Sequence, residues 1–165
     1  MAETNKFDIK FGTDGWRGII SRDFTFANVR IVSQAVADYI KTLSGRVYGA
    51  GAIVGFDNRF LSREFACTVA HTLSANGINT KISSSAVTSP SISYFSKKYK
   101  LYGVMITASH NPPSWNGIKI KLSYGGSVSE EVISGIYSLI GKSSVKHSGD
   151  MPSEADVLGI SERDL

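Results

Sequence analysis

The string Thr107-Ala108-Ser109-His110-Asn111-Pro112-Pro113-Ser114-Trp115-Asn116-Gly117-Ile118-Lys119 places a hydroxyl, an imidazole and an ammonium within thirteen residues. Ser109 is a potential nucleophile or group carrier, but a serine at its free pKa is weak and needs a base or an already attached group. Asn111-Pro112 turns the chain sharply, and the small Ala108 allows a partner close to Ser109. An ordinary exposed turn reads the same way residue by residue. A serine hydrolase does not fit, because the sequence has no G-x-S-x-G elbow and nothing places a third orienting group beside His110.

A second cationic candidate is Arg17, within Phe11-Gly12-Thr13-Asp14-Gly15-Trp16-Arg17-Gly18-Ile19-Ile20. Three glycines around Trp16-Arg17 describe a loop that turns tightly or approaches something closely. A guanidinium there either pairs with Asp14 or offers its fixed fork to phosphate oxygens.

These loops need a scaffold. Residues 102–106 and 118–122 are short apolar runs of strand type on either side of the Ser109 loop, an arrangement that gives one antiparallel pair. On the second run, alternation puts Lys119 and Lys121 on one face and Ile118 and Ile120 on the other. Residues 53–57 and 78–82 read as two further strands. Residues 25–43 read as a helix capped by Thr25 and stopped by Gly45, with Val29, Val32, Val36 and Leu43 as its apolar stripe. A second helix opens at Leu61-Ser62-Arg63-Glu64 with Ser62 as N-cap, carries Ala66, Val69, Ala70 and Leu73 inward, and stops at Asn76-Gly77. Ser89-Pro90 reads as cap and first residue of a third helix, running to about Lys98. Ser127 with Glu130 reads as a capping box for a last helix over 128–140, ended by Gly141. The basic group Lys97-Lys98-Tyr99-Lys100 reads as the end of a helix. Alternating strands and helices predict a layered α/β/α sandwich with a mixed, largely parallel sheet. Residues 1–141 form the predicted domain, and 142–165, rich in Ser and Gly, a linker or tail.

Other chemistries find little support. Gly49, Gly51 and Gly55 lack the spacing of a dinucleotide fingerprint. Cys67 and His71 stand four apart on one helix and are too few for a metal site. The 165 residues carry 42% hydrophobic and 19% charged residues and a net charge of +4, ordinary for a soluble globular domain. No basic stripe interleaved with aromatics points to nucleic acid. No apolar run approaches the ~20 residues of a membrane span, and Glu3, Lys6, Asp8 and Lys10 leave no room for an apolar signal region. One cysteine allows no internal disulfide. A cytoplasmic location is expected.

The long string around Ser109 resembles the active-site loop of the alpha-D-phosphohexomutases, the phosphoglucomutase and phosphomannomutase family, which reads Thr-[Ala/Gly]-Ser-His-Asn-Pro, a spacer, then Asn-Gly-x-Lys. The string around Arg17 resembles the family's N-terminal Phe-Gly-Thr-x-Gly-x-Arg-Gly, and Asp57-Asn58-Arg59 its Asp-x-Arg, here expected to be an ion pair or helix-start contact. The resemblance implies the first, α/β-sandwich domain of a four-domain enzyme. Such enzymes shift a phosphoryl group between the 1- and 6-hydroxyls of a hexose phosphate through a hexose 1,6-bisphosphate.

In that reading Ser109 carries the phosphoryl group, and Arg17 and Lys119 are its cationic partners. Lys119 is the acid/base group, His110 orients, and Asn111 belongs to the substrate-binding set. The implied Mg2+ is bound through the phosphate on Ser109 and by three aspartates of an Asp-Gly-Asp-x-Asp motif, which this sequence does not contain. The implied partners are a hexose phosphate and the remaining domains, and the chain alone is expected to be folded but inactive. Trp115-Asn116-Gly117, where the glucosamine-phosphate branch typically carries Asp-Asn-Gly, favours a glucose or mannose phosphate. The alternative is a non-catalytic sugar-phosphate-binding module that kept the loop.

Overall fold

The computed structural model describes residues 9–43 and 51–146. The predicted helix stop at Gly45, the glycine at 49 and the tail beyond 146 lie outside the described residues. The elements run β1 (Gly15–Ile19), α1 (Phe26–Thr42), β2 (Gly51–Phe56), α2 (Ser62–Ala75), β3 (Asn79–Ile82), α3 (Ser89–Tyr99), β4 (Tyr102–Ile106), β5 (Trp115–Lys121) and α4 (Glu130–Leu139). One mixed sheet orders the strands β1-β5-β4-β2-β3. β2 pairs in parallel with β3 and β4, while β4–β5 and β1–β5 are antiparallel.

Helices cover both faces. On one side α1, α2 and α4 enclose the main core, in which Val29, Val32 and Val36 of α1 and Phe65, Val69 and Leu73 of α2 meet Val54, Val104, Ile106, Ile118 and Ile120 of the sheet. On the other side α3 lies over β2 and β4, and Ile92 and Phe95 close on Ile53 and Met105. Burial of side chains of this size stabilises by roughly 1.5–3 kcal/mol each. Gly55 and Gly103 let α3 sit close, since a Cβ at Gly55 would meet Ile92 at 2.5 Å and one at Gly103 would collide with Ser96.

The sheet register carries this second face beyond α3. Gly55, Met105, Lys119 and Gly15 form one cross-strand row, and Ile53, Gly103 and Lys121 the next. Residues directly opposite each other share a face, so the face covered by α3 over β2 and β4 continues on β5 as a pair of lysines. Ile118 and Ile120 turn to the main core, as alternation predicts.

Four local readings are corrected. The glycine-rich segment expected as a loop is strand β1, because its glycines permit the close approach to β5: a Cβ on Gly15, at φ 149°, would collide with the carbonyl of Ile118, and one on Gly117 would stand 2.7 Å from the carbonyl of Trp16. The other three concern caps. The residue before α2 is Leu61 in the left-handed region (φ 60°) and makes no side-chain cap; Ser62 is already helical. Thr88, one residue before the expected Ser89, caps α3 by accepting from the amide of Ser91. Ser129, not Ser127, caps α4 by accepting from the amide of Val132. Neighbouring hydroxyls satisfy the spacing equally well, and the one with extended φ and ψ takes the role.

Candidate active site

The parallel strands β2 and β4 end side by side, and the chain leaves them as the turn 57–61 and the loop 107–114. The carboxyl ends of parallel strands are where α/β sheets place their sites. At the end of β4, Thr107 is tied to β5 by its amide on the carbonyl of Gly117 (2.9 Å). Its hydroxyl then accepts from the amide of Ser109 at 2.9 Å. Ser109 takes the left-handed conformation, φ 58°, and is exposed with His110 at the tip. Two turns close the rest: the Asn111 amide donates to Ala108 O (3.1 Å) and the Trp115 amide to Pro112 O (3.0 Å). The amide of Ile20 donates to Ser114 O at 2.8 Å, which sews the loop to the end of β1.

Arg17 and Lys119 come to this loop from neighbouring strands. Arg17 stands opposite Gly117 and Lys119 opposite Gly15 in the β1–β5 register, so both side chains rise on the α3 face beside residues without a Cβ. Arg17 Nη1 donates to Asn111 Oδ1 at 3.0 Å. Asp14 bridges the two cations, 2.9 Å from Lys119 Nζ and 3.4 Å from Arg17 Nη2. Burial alone raises the Asp14 pKa; the hydrogen bond and charge of Lys119, with Arg17 and Lys121, outweigh it and hold the carboxyl below its ordinary value. Lys121 is held below the usual lysine range by burial, and the neighbouring Lys119 charge adds to that; its ammonium donates to Ser127 Oγ at 2.9 Å. The result, among the described residues, is an anion-friendly face in which the Asp14 carboxylate stands against three cations, Arg17, Lys119 and Lys121.

The structure thus joins Arg17 to both Asn111 and Asp14, and Asp14 to Lys119, with Ser109 exposed in the same loop as Asn111. His110 is different: its imidazole joins none of the loop's hydrogen bonds among the described residues. A cleft of about 460 Å³ lined by Asp57, Asn58, Arg59, Phe60, Asn111 and Pro113 opens beside the loop. A second, of about 300 Å³, lies between Thr107 and the start of α3 at Thr88 and Ser89.

Sequence reasoning missed the part played by Arg59. It does form the expected ion pair, Nε to Asp57 Oδ2 at 3.4 Å. Its other nitrogens reach into the loop, donating to the carbonyls of Ser109 (2.7 Å), Asn111 (2.7 Å), Pro112 (2.9 Å) and Trp115 (3.2 Å). Asn116 was missed too. Its side chain is buried, donating to Ser62 Oγ at 2.9 Å and accepting from the amide of Gly117 at 2.8 Å. The only advance signal was the Asp-x-Arg spacing; four main-chain acceptors leave no mark in a sequence.

A divalent cation does not fit these residues by themselves. No group of three or more His, Cys, Asp or Glu side chains that could hold a metal occurs among the described residues. The nearest carboxylates are committed, Asp14 to Lys119 and Arg17, and Asp57 to Arg59 and the Ser62 hydroxyl. No helix of the described residues is long and apolar enough to cross a membrane.

A three-layer α/β/α domain with a polar loop at the carboxyl ends of its parallel strands is the class these features define. The sequence model described as phosphoglucomutase/phosphomannomutase, alpha/beta/alpha domain I, matches residues 8–146, and the chain belongs to that family. It is 37% identical over 127 residues to a phosphoglucomutase of Staphylococcus saprophyticus, a match covering 74% of this chain and 22% of that protein. It is 34% identical to a phosphoglucosamine mutase of Dictyoglomus turgidum, covering 74% and 27%. Among solved structures, a Thermus thermophilus protein described as a phosphomannomutase superposes with a TM-score of 0.78 at 32% identity, over 85% of this chain and 32% of that one. Paramecium parafusin, a phosphoglucomutase, shares the fold with a TM-score of 0.75 at 22% identity, over 88% and 28%. The chain therefore spans about a quarter of the length of the curated relatives it matches.

Proposed function

We propose that this chain is the phosphoserine-bearing domain of a phosphohexomutase, which moves a phosphoryl group between the C1 and C6 oxygens of a hexose phosphate. In the first half-reaction a sugar hydroxyl attacks the phosphorus on Ser109, its proton leaves to a base, and the Ser109 oxygen is released and protonated. In the second the Ser109 hydroxyl attacks the other phosphorus of the bisphosphate, and the sugar oxygen is the leaving group, protonated as it departs. Reversal after the hexose 1,6-bisphosphate turns over restores the phosphoserine. Phosphoryl transfer depends mainly on positioning and charge neutralisation. Arg17 and Lys119 supply the charge, Lys119 is the proton carrier at the serine oxygen, His110 orients, and Asn111 relays the position of Arg17 to the loop. The observation that carries this reading is the exposed, left-handed Ser109 beside the Arg17–Asn111 and Lys119–Asp14 contacts.

Magnesium, if used, takes its protein carboxylates from a part of the protein beyond this chain, as do the sugar-reading contacts. The domain is accordingly folded but inactive by itself, and residues 142–165 act as linker or tail. The preference between glucose and mannose phosphate lies with those further domains; Trp115 favours these two over glucosamine phosphate, although a phosphoglucosamine mutase is among the relatives that match this chain.

The test is intact mass after incubation with magnesium and glucose 1,6-bisphosphate, with and without the remaining domains, beside Ser109→Ala. One added phosphoryl group with the full protein, lost in Ser109→Ala, is expected. Turnover of a hexose phosphate by this chain alone would overturn the inactivity. Sugar-phosphate binding that survives Ser109→Ala, with no phosphorylation of the full protein, would establish the binding-module alternative instead.

A further inference from the structure

Arg59 stands outside the residues assigned above to the phosphoryl group, yet it is the donor most used by the loop. We propose that Arg59 is the positioning residue of the Ser109 loop: its guanidinium gathers the carbonyls of Ser109, Asn111, Pro112 and Trp115 and so fixes where the Ser109 hydroxyl stands. This rests on the reading of Ser109 as carrier.

The need arises from the loop's composition. Pro112 and Pro113 have no N–H, so the loop has fewer donors than acceptors for closing on itself. A guanidinium offers five donors in one plane, and here four carbonyls receive bonds of 2.7 to 3.2 Å from its two terminal nitrogens. The remaining nitrogen, Nε, faces Asp57. Asp57 is itself held, with Oδ1 accepting from the Ser62 hydroxyl at 2.7 Å and from the Arg59 amide at 3.0 Å. The Ser62 hydroxyl also accepts from Asn116, at the far end of the loop. Both ends of the loop are thereby referred to one rigid point, the β2–α2 turn. The left-handed Ser109 is a strained conformation for a residue with a Cβ, and the bond from Arg59 to its own carbonyl holds it there. An ammonium cannot replace this fork: three donors on one tetrahedral nitrogen do not reach four carbonyls and a carboxylate. The side chain is 16% exposed, and among the described residues its hydrogen bonds and ion pair go to loop carbonyls and Asp57.

The test compares Arg59→Lys and Arg59→Ala with wild type in the chain joined to the remainder of its protein. It reads three quantities: amide hydrogen exchange over residues 108–117, thermal unfolding, and kcat and KM for the mutase reaction. Loop exchange should accelerate by roughly tenfold or more while exchange in β2 and β4 holds, since the loop opens locally. With a serine displaced by about 1 Å, kcat should fall on the order of 100-fold with KM changed by no more than about twofold. Guanidinium ion at sub-denaturing concentration should restore part of kcat to Arg59→Ala and none to Ser109→Ala. Wild-type loop exchange and kcat in Arg59→Lys would overturn the proposal. So would a loss of kcat matched by general unfolding and not rescued by guanidinium, which assigns Arg59 to stability alone. If wild type never phosphorylates Ser109, the functional reading fails, and the exchange measurement still decides whether Arg59 positions the loop.

Discussion

The two halves of the sheet are built on different terms. In the parallel half, β3-β2-β4, strand β2 is buried at every position and meets helices on both faces, α2 on one and α3 on the other. In the antiparallel half, β4-β5-β1, one face continues the main core through Ile118 and Ile120, while the other carries Lys119, Lys121 and Arg17 and admits glycine where the strands crowd. Replacing a helix by cations on one half of one face converts a structural layer into a place that attracts anions. The first half is covered by helices on both faces, and the second leaves one face to cations beside the loop that follows β4.

Substitutions can separate the halves, and the largest effect is expected where α3 packs. Ile53→Ala, at a fully buried position among Ile92, Phe95 and Met105, should cost about 3 kcal/mol, read by urea unfolding, while the folded fraction still accepts phosphate at Ser109 when joined to its other domains. Equal loss of phosphorylation in the folded fraction would mean the halves are not separable. Gly117→Ala should cost on the order of 2 kcal/mol, as overpacking does, because its Cβ meets the carbonyls of Trp16 and Thr107 and the stem of Arg17; here phosphorylation should fall more than stability. Ser109→Gly should gain about 1 kcal/mol by relieving the left-handed backbone and abolish phosphorylation entirely. A loss of stability in that variant would show the serine side chain to be supporting the loop.

The smallest effect is electrostatic and visible only in acid. Asp14 is held below its ordinary pKa of 3.8 in the fold, so its contribution is fully present above that value and disappears as the pH falls below it. Asp14→Asn should flatten that acid limb in a urea titration against pH, and change stability at neutral pH by no more than about 1 kcal/mol, since the pair is still partly open to solvent. An unchanged acid limb would mean that the bridge to Lys119 contributes nothing measurable.

Much of this arrangement was legible in the residues. Period-two and helical spacings identify four of the strands and all four helices, because each buries a face or a stripe and burial leaves a pattern. β1 escaped since its glycines, which signal a loop when taken alone, are there to let two backbones approach. The caps moved by one or two residues because Thr88 and Ser89, or Ser127 and Ser129, offer the same hydroxyl, and only backbone torsion distinguishes them. At the site, the type and order of Ser109, Asn111 and Lys119 were readable, as was the cationic role open to Arg17. Of what binds them, only the Arg17–Asp14 pair was legible in advance. Arg59 acts on carbonyls that every residue possesses, and Asp14 serves Lys119 through a strand pairing that joins residues more than a hundred positions apart.

The left-handed backbone at residue 109 also limits which alcohol can stand there. Threonine has the same hydroxyl and forms an equivalent phosphoester, but a β-branched side chain at positive φ is a marked conformational outlier. On the proposed reading of Ser109 as carrier, the loop discriminates between two chemically interchangeable alcohols by torsion angle, before any question of reactivity arises. Geometry, not nucleophilicity, makes serine the residue this turn accepts.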